Sequence, residues 1–172
     1  MKNWVNQQIE FLNALRGNTI IDWLGIEMAV RESGKNGLPQ WYDDSIEMLQ
    51  FDRVDMIFPN SQFSSIITYQ NDDHWGLYRK DDLPILKFDN NEPTSIFRER
   101  HFVELPIGKI DSVEIKLDND SNDISEINIL ICGKLINLMA GEVYEDLNDK
   151  LKTVNMDESI LIQVDGKKVS VR

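Results

Sequence analysis

Apolar residues recur at helical spacing over residues 4–15, with polar residues between them. Gly17 follows where helices commonly end, because glycine readily adopts the left-handed conformation of a C′ position. Asn18 or Thr19 can cap a second, short helical turn over residues 20–24. The predicted apolar face of the first helix comprises Trp4, Val5, Ile9, Leu12 and Leu15.

Beyond the loop at residues 33–39, a period of two replaces the helical spacing. Apolar and polar residues alternate in Val54–Phe58 and again in Ser65–Tyr69. Pro59-Asn60-Ser61 between them favours a turn, because these residue types are frequent in turns. The segment therefore predicts a β-hairpin.

The C-terminal half also predicts hairpins. Ile110–Leu117 alternates except at one step after Ile110, which indicates a β-bulge. Residues 127–132 and 135–139 predict a second hairpin, with its turn at Gly133-Lys134. Asp165-Gly166 between two alternating runs is typical of a type I′ turn, in which both central residues need a positive φ.

These elements predict an α+β fold in which an N-terminal helix, or two, packs on a mostly antiparallel β-sheet. The charged stretch 142–152 is interpreted as an irregular connection or a short helix. The 172 residues suit one domain, since domains commonly contain about 100–200 residues. We therefore expect residues 1–172 to form a single domain.

The chain carries 30 acidic and 18 basic residues, which gives a net charge of −12 at pH 7. Acidic and basic residues balance over residues 1–40, so the whole excess lies in 41–172. Binding to nucleic acid depends on Lys and Arg that neutralise phosphates, and anionic membranes attract basic segments for the same reason. Neither nucleic acid nor an anionic membrane is therefore an expected partner. The surplus either keeps the protein soluble or attracts a basic partner.

The apolar runs are much shorter than the roughly 20 residues that span a bilayer. Residues 1–8 contain no apolar core of the kind found in secretory signals. The expected location is therefore the cytoplasm, with no membrane association.

Residues with catalytic potential are few. Cys132 is the single cysteine and ends an apolar run, which is typical of a buried small hydrophobic residue. His101 lies among charged residues, as on a solvated strand or a sheet edge. His74 follows Asp73 and could take up a proton, so an enzyme centred on His74 is one hypothesis. It predicts a deep pocket with polar groups around this histidine.

Metal and cofactor motifs are incomplete. Asp118, Asp120 and Asn122 match the first three ligand positions of an EF-hand loop. Asp123 occupies the sixth position, where glycine is needed, and Ile129 the twelfth, where a glutamate is needed. The glycine patterns that cradle phosphates are missing from the sequence. We expect a solvated acidic loop, no metal and no cofactor.

Acidic doublets adjoin aromatic residues at residues 41–44 and 72–75, and Asp81-Asp82 follows Tyr78. Trp and Tyr are frequent anchors of protein interfaces, and carboxylates attract Lys and Arg of a partner. The alternative is that the aromatics pack under a sheet while the acids are ordinary turn residues. The candidate partner-binding residues are Trp41, Tyr42, Asp43, Asp44, Asp72, Asp73, Trp75, Asp118, Asp120 and Asp123.

Several segments together resemble bacterial immunity proteins of contact-dependent and polymorphic toxin systems. The matching features are the leading helix, Leu24-Gly25, the stretch Leu38–Asp43 and the strand pair described above. Residues 137–142 and 157–161 are similar in character. The resemblance implies a small, acidic, cytosolic protein that binds and occludes a toxin domain. It implies no catalytic residues.

Three hypotheses follow. The first is an immunity protein that covers a basic toxin such as a nuclease. The second is an oligomeric or adaptor module whose exposed apolar strand pairs with a second copy, and the third is the enzyme centred on His74. The oligomeric state and the identity of the toxin are not determined by the sequence.

Overall fold

A computed structural model describes residues 2–81 and 92–165. Its one described helix is α1, Lys2–Asn13. A short 3₁₀ turn spans Pro59–Ser61. The strands are β1 Thr19–Ile20, β2 Asp22–Met28, β3 Leu49–Ile57, β4 Phe63–Asn71, β5 His74–Lys80, β6 Phe97–His101, β7 Gly108–Leu117, β8 Ile124–Ile131, β9 Lys134–Glu145 and β10 Leu151–Val164.

All strand pairs among the described residues are antiparallel, which confirms a mostly antiparallel sheet beside an N-terminal helix. The order along the sheet is β1-β7-β8-β9-β10-β3-β2-β6, and β4 and β5 branch from β3. The branch forms because residues 49–51 of β3 pair with β10, whereas residues 54–57 pair with β4.

The sheet folds over itself around the main core. β5 packs against β8, β9 and β10 without pairing with them, and α1 lies against β5 and β7. Trp23 is fully buried in this core. The rings of Phe51 and Phe102 pack edge to face, with their centroids 4.5 Å apart. Aromatic pairs in this arrangement add to the stabilisation that burial alone provides.

The predicted α1 face is correct. Val5, Leu12 and Leu15 are buried, Trp4 and Ile9 are half-buried against the core, and the helix is followed by turns that end at Gly17. Gly17 adopts a φ of +88° and donates its backbone N–H to the carbonyl of Ile110.

The second predicted helix is wrong, because residues 20–24 belong to β1 and β2. Gly25 shows why the segment is extended: a Cβ there would lie 2.4 Å from the carbonyl oxygen of Arg53 and 2.9 Å from the Phe102 ring. The close approach of β3 and Phe102 to the backbone is a tertiary requirement that local helix propensity does not reflect.

The stretch 142–152 contains no helix, and only residues 146–150 form a connection. Glu142–Glu145 completes β9, and β10 begins at Leu151, so the two strands form a hairpin arm. Val143 and Leu151 on one face of this arm are buried with Val30 and Leu161. Burial of that face stabilises strand pairing despite the charged residues between.

The other hairpin predictions are confirmed where they can be compared. β3 and β4 pair as expected, and the register of β7 against β8 shifts between Ile110 and Ser112, where the bulge was predicted. The β8–β9 turn lies one residue earlier than predicted, at Cys132-Gly133, with φ values of +50° and +77°. The Asp165-Gly166 hairpin extends outside the described residues.

Candidate protein-binding surface

The β4–β5 turn presents two carboxylates at the end of a hairpin. Asn71 pairs with His74, which leaves Asp72 and Asp73 as the two turn residues. Asp72 adopts a φ of +51°, a conformation that Asp tolerates better than most residues. Both side chains are exposed.

The β7–β8 loop presents two further carboxylates, those of Asp118 and Asp120. The Asp118 carboxylate accepts backbone N–H groups from Asp120 and Ser121 at 2.9 and 2.8 Å. These hydrogen bonds lower the pKa of Asp118, with a smaller contribution from His74. Asp118 therefore stays ionised, and Asp120 beside it is exposed.

Asp123 joins the two loops. Its carboxylate accepts the Tyr69 hydroxyl at 2.7 Å and the Asn71 side-chain amide at 3.0 and 2.9 Å. The four acids Asp72, Asp73, Asp118 and Asp120, which we call the acidic end, are thus held at one side of the molecule. Among the described residues, no Lys or Arg forms an ion pair with any of them.

Asp123 itself requires a correction. It was predicted as an exposed partner contact, but it is 1 % exposed. Burial, together with the negative charge of Asp123, holds the pKa of Tyr69 well above its usual value. The physical reason is that the Asp123 carboxylate accepts three hydrogen bonds from Tyr69 and Asn71 of β4, and these bonds allow it to be buried where the β7–β8 loop contacts β4.

The aromatic residue of this segment, Trp75, is half-buried at the start of β5. It pairs across the hairpin with Gln70, next to the acidic turn. The indole therefore lies beside the acidic end, and part of it is accessible to a partner.

The Trp41–Asp44 segment lies against arginines instead. The guanidinium of Arg98 stacks over the Trp41 ring at 4.2 Å. Asp43 lies 3.6 Å from Arg31, and hydrogen bonds from Ser45 are the main reason that its pKa is lowered.

Tyr42 donates its hydroxyl to Asp44 at 3.0 Å. Both acids of this segment therefore have side-chain partners within the chain. Of the third doublet, Asp81 is bound by Arg79 and Ser64, and Asp82 lies outside the described residues.

Glu27 belongs to the same arginine-rich neighbourhood. It is 1 % exposed on β2 and accepts Arg98 and Arg100, from β6, at 2.6 and 2.8 Å. We call Glu27, Asp43, Arg31, Arg98 and Arg100 the arginine-paired region.

The remaining candidates for chemistry differ in outcome. His101 lies on the edge strand β6, 2.7 Å from Asp22, and is exposed as predicted. Cys132 was predicted as buried but is exposed, because the two-residue turn ends the strand at Ile131. His74 is exposed beside the β4–β5 turn, whereas the enzyme hypothesis predicted a deep pocket around it.

A cavity of about 360 Å³ opens beside the acidic end. Its lining includes Val5 and Asn6 of α1, Asn71, Leu117 and Asp123. The sequence patterns did not identify Tyr69, Asn71 or Leu117 as part of this site. Asn71 adjoins an acidic doublet in the sequence, but its contact with Asp123 joins residues 52 positions apart and so produces no local sequence pattern.

Among residues 2–81 and 92–165, no three His, Cys, Asp or Glu side chains are arranged to hold a metal ion. No helix there has the length and apolar character needed to cross a bilayer.

Comparison with known proteins identifies no similar family, protein or structure. No protein-family description matches the chain, and neither a curated protein nor a solved structure shows significant similarity to it.

Proposed function

We propose that this protein is a non-catalytic immunity protein that binds a basic protein toxin, such as a nuclease, through the acidic end and occludes it. The observation that carries the proposal is the set of four carboxylates gathered from two distant segments, none of which forms an ion pair with a described Lys or Arg. Surfaces of one charge raise the rate at which an oppositely charged partner associates.

The physical setting supports binding in preference to simple solubility. Carboxylates scattered for solubility need no fixed geometry, whereas Asp118 is ordered by two backbone hydrogen bonds and Asp123 fixes its loop to β4. Trp75 adds a partly accessible aromatic beside the turn. An ordered acidic surface next to an aromatic residue and a cavity suits a protein interface.

The adaptor alternative predicted an exposed apolar strand that pairs with a second copy. The described sheet ends at β1, at β6 and, on the branch, at β5. β1 has two residues, β6 carries Arg98, Glu99 and Arg100, and β5 ends in Arg79 and Lys80. Short and charged edges discourage pairing between molecules. These edges favour the immunity hypothesis over self-association.

The direct test is association with the product of the adjacent gene. The triple variant Asp72→Asn, Asp73→Asn, Asp120→Asn should lower the association rate at low salt by about tenfold, because electrostatic steering weakens. Stopped-flow measurements at several salt concentrations would show a smaller salt dependence for the variant.

A matched control removes the same charge elsewhere. Glu10→Gln, Glu47→Gln and Asp111→Asn alter exposed residues outside the acidic end. This control should retain most of the association rate. Equal losses in both triple variants would assign the effect to net charge alone, and a host that survives deletion of this gene beside an intact toxin gene would contradict the proposal.

A further inference from the structure

The cavity beside the acidic end is built from three separate parts of the chain. α1 contributes Val5 and Asn6, the end of β7 contributes Leu117, and the β7–β8 loop contributes Asp123. At about 360 Å³ it is far larger than the roughly 30 Å³ that one water occupies in the liquid. It can therefore admit a side chain.

Asp123 gives this cavity a buried negative charge. The residue is 1 % exposed, and its described partners, Tyr69 and Asn71, are neutral hydrogen-bond donors. Among the described residues, Asp123 has no ion pair with a cation. Buried carboxylates are commonly paired with a cation, because removing the charge from water is costly.

The walls and the rim have different chemistry. Val5 and Leu117 are apolar, and Leu117 is 41 % exposed at the opening. Asp72 and Asp120 lie exposed on the two neighbouring loops. An apolar wall with a charged end matches lysine and arginine, which bury an aliphatic stem and carry a cationic head.

We propose that this cavity receives one lysine or arginine side chain of the protein partner, with its stem against Val5 and Leu117 and its cation at Asp123. This inference rests on the proposed function and names the contact that the acidic end guides into place. The rim acids attract the partner, and the cavity holds one of its side chains.

The cavity can be tested without knowing the partner. Titration with n-butylguanidinium, followed by NMR, should give saturable shifts of the Val5 and Leu117 methyls and of the Asn71 side-chain amide. Guanidinium ion tests the charge without the stem, and n-butanol tests the stem without the charge. Each should bind at least about tenfold more weakly, because each lacks one of the two contacts. Shifts that are spread over all acidic loops and do not saturate would overturn the proposal.

Two variants give independent outcomes. Asp123→Asn should weaken n-butylguanidinium binding by about tenfold or more, because a charge-assisted hydrogen bond is lost. Leu117→Lys supplies an internal ammonium at the partly exposed opening and should abolish probe binding while cooperative unfolding is retained. If Asp123→Asn does not fold, Leu117→Lys still decides, and probe binding to Leu117→Lys equal to wild type would overturn the proposal.

The partner complex separates this inference from the proposed function. Leu117→Lys should mainly raise the dissociation rate of the complex. The triple variant Asp72→Asn, Asp73→Asn, Asp120→Asn should mainly lower the association rate. Wild-type affinity of Leu117→Lys for the toxin would refute the cavity contact and leave the immunity function intact. Absence of any toxin partner would refute the immunity function, and with it the partner side chain as the occupant.

Discussion

The acidic end and the arginine-paired region both contain carboxylates, but in opposite electrostatic settings. At Asp72 and Asp73 the carboxylates are exposed on a hairpin turn, with no ion pair to a described Lys or Arg. At Glu27 the carboxylate is buried and bound by Arg98 and Arg100. In the first setting the charge remains available to a partner, and in the second it is neutralised within the fold.

The comparison shows that an acid beside an aromatic does not by itself predict an interface. Trp41 and Asp43 follow the same sequence pattern as Asp73 and Trp75. Arg98 stacks on Trp41 and Arg31 lies near Asp43, so an internal cation already occupies the position that a partner's arginine would take.

The largest expected effect is in the arginine-paired region. Glu27→Gln removes the buried negative charge that Arg98 and Arg100 share, and breaking such pairs is costly. We expect the free energy of unfolding to fall by about 3 kcal/mol, near the lower end of the usual cost, since Arg98 is 39 % exposed and can regain water. Urea denaturation measures this change.

Glu114→Gln is the matched control, because Glu114 is an exposed strand residue on β7. It should change the free energy of unfolding by less than about 0.5 kcal/mol. Equal effects of the two substitutions would mean that Glu27 and its arginines do not stabilise the fold as a pair.

An intermediate effect is expected at Glu142, where acids face one another. Burial, followed by repulsion from Glu158 and Asp157, raises the pKa of Glu142 from 4.5 to about 7. The folded state then holds a proton that the unfolded state has released, so this stabilisation is present below about pH 4.5 and is lost as the pH rises through about 7.

Glu142→Gln mimics the protonated form at every pH. It should be more stable than wild type by about 1–2 kcal/mol at pH 8, with the difference shrinking towards pH 5. Thermal unfolding across this range measures the effect. Glu158→Gln should recover part of it, and stability profiles of wild type and Glu142→Gln that stay parallel would contradict the raised pKa.

The smallest effect on stability is expected at the acidic end. Asp73→Asn removes a charge that has no ion pair to a described cation, so the free energy of unfolding should change by less than about 0.5 kcal/mol. A loss of more than about 1 kcal/mol would show that the turn carboxylate is structural and would remove the contrast with Glu27.

Sequence reasoning succeeded where local chemistry determines structure. The face of α1, the β3–β4 hairpin and the bulge after Ile110 all follow from periodicity and turn residues within a few positions. It failed at residues 20–24, where Gly25 must let Arg53 and Phe102 approach the backbone. It also failed at 142–152, where a buried face outweighs the charged pattern.

The candidate site shows the same division. Asp72, Asp73, Asp118 and Asp120 were predicted from their acidic sequence context, and the structure leaves all four at least partly exposed. Asp123 was assigned to the same surface but is buried by Tyr69 and Asn71, which lie more than 50 positions away.

The sequence by itself determined the charge surplus, the periods of the helix and the hairpins, and the positions of the acidic turns. Tertiary structure decided which carboxylates pair with arginine and which form no ion pair with a described Lys or Arg. The physical reason is that a charge is neutralised by its neighbours in space. Strand pairing brings Arg98 of β6 to Glu27 of β2. Packing of β5 against β8, without strand pairing, brings neutral Asn71 at the end of the neighbouring β4 to Asp123.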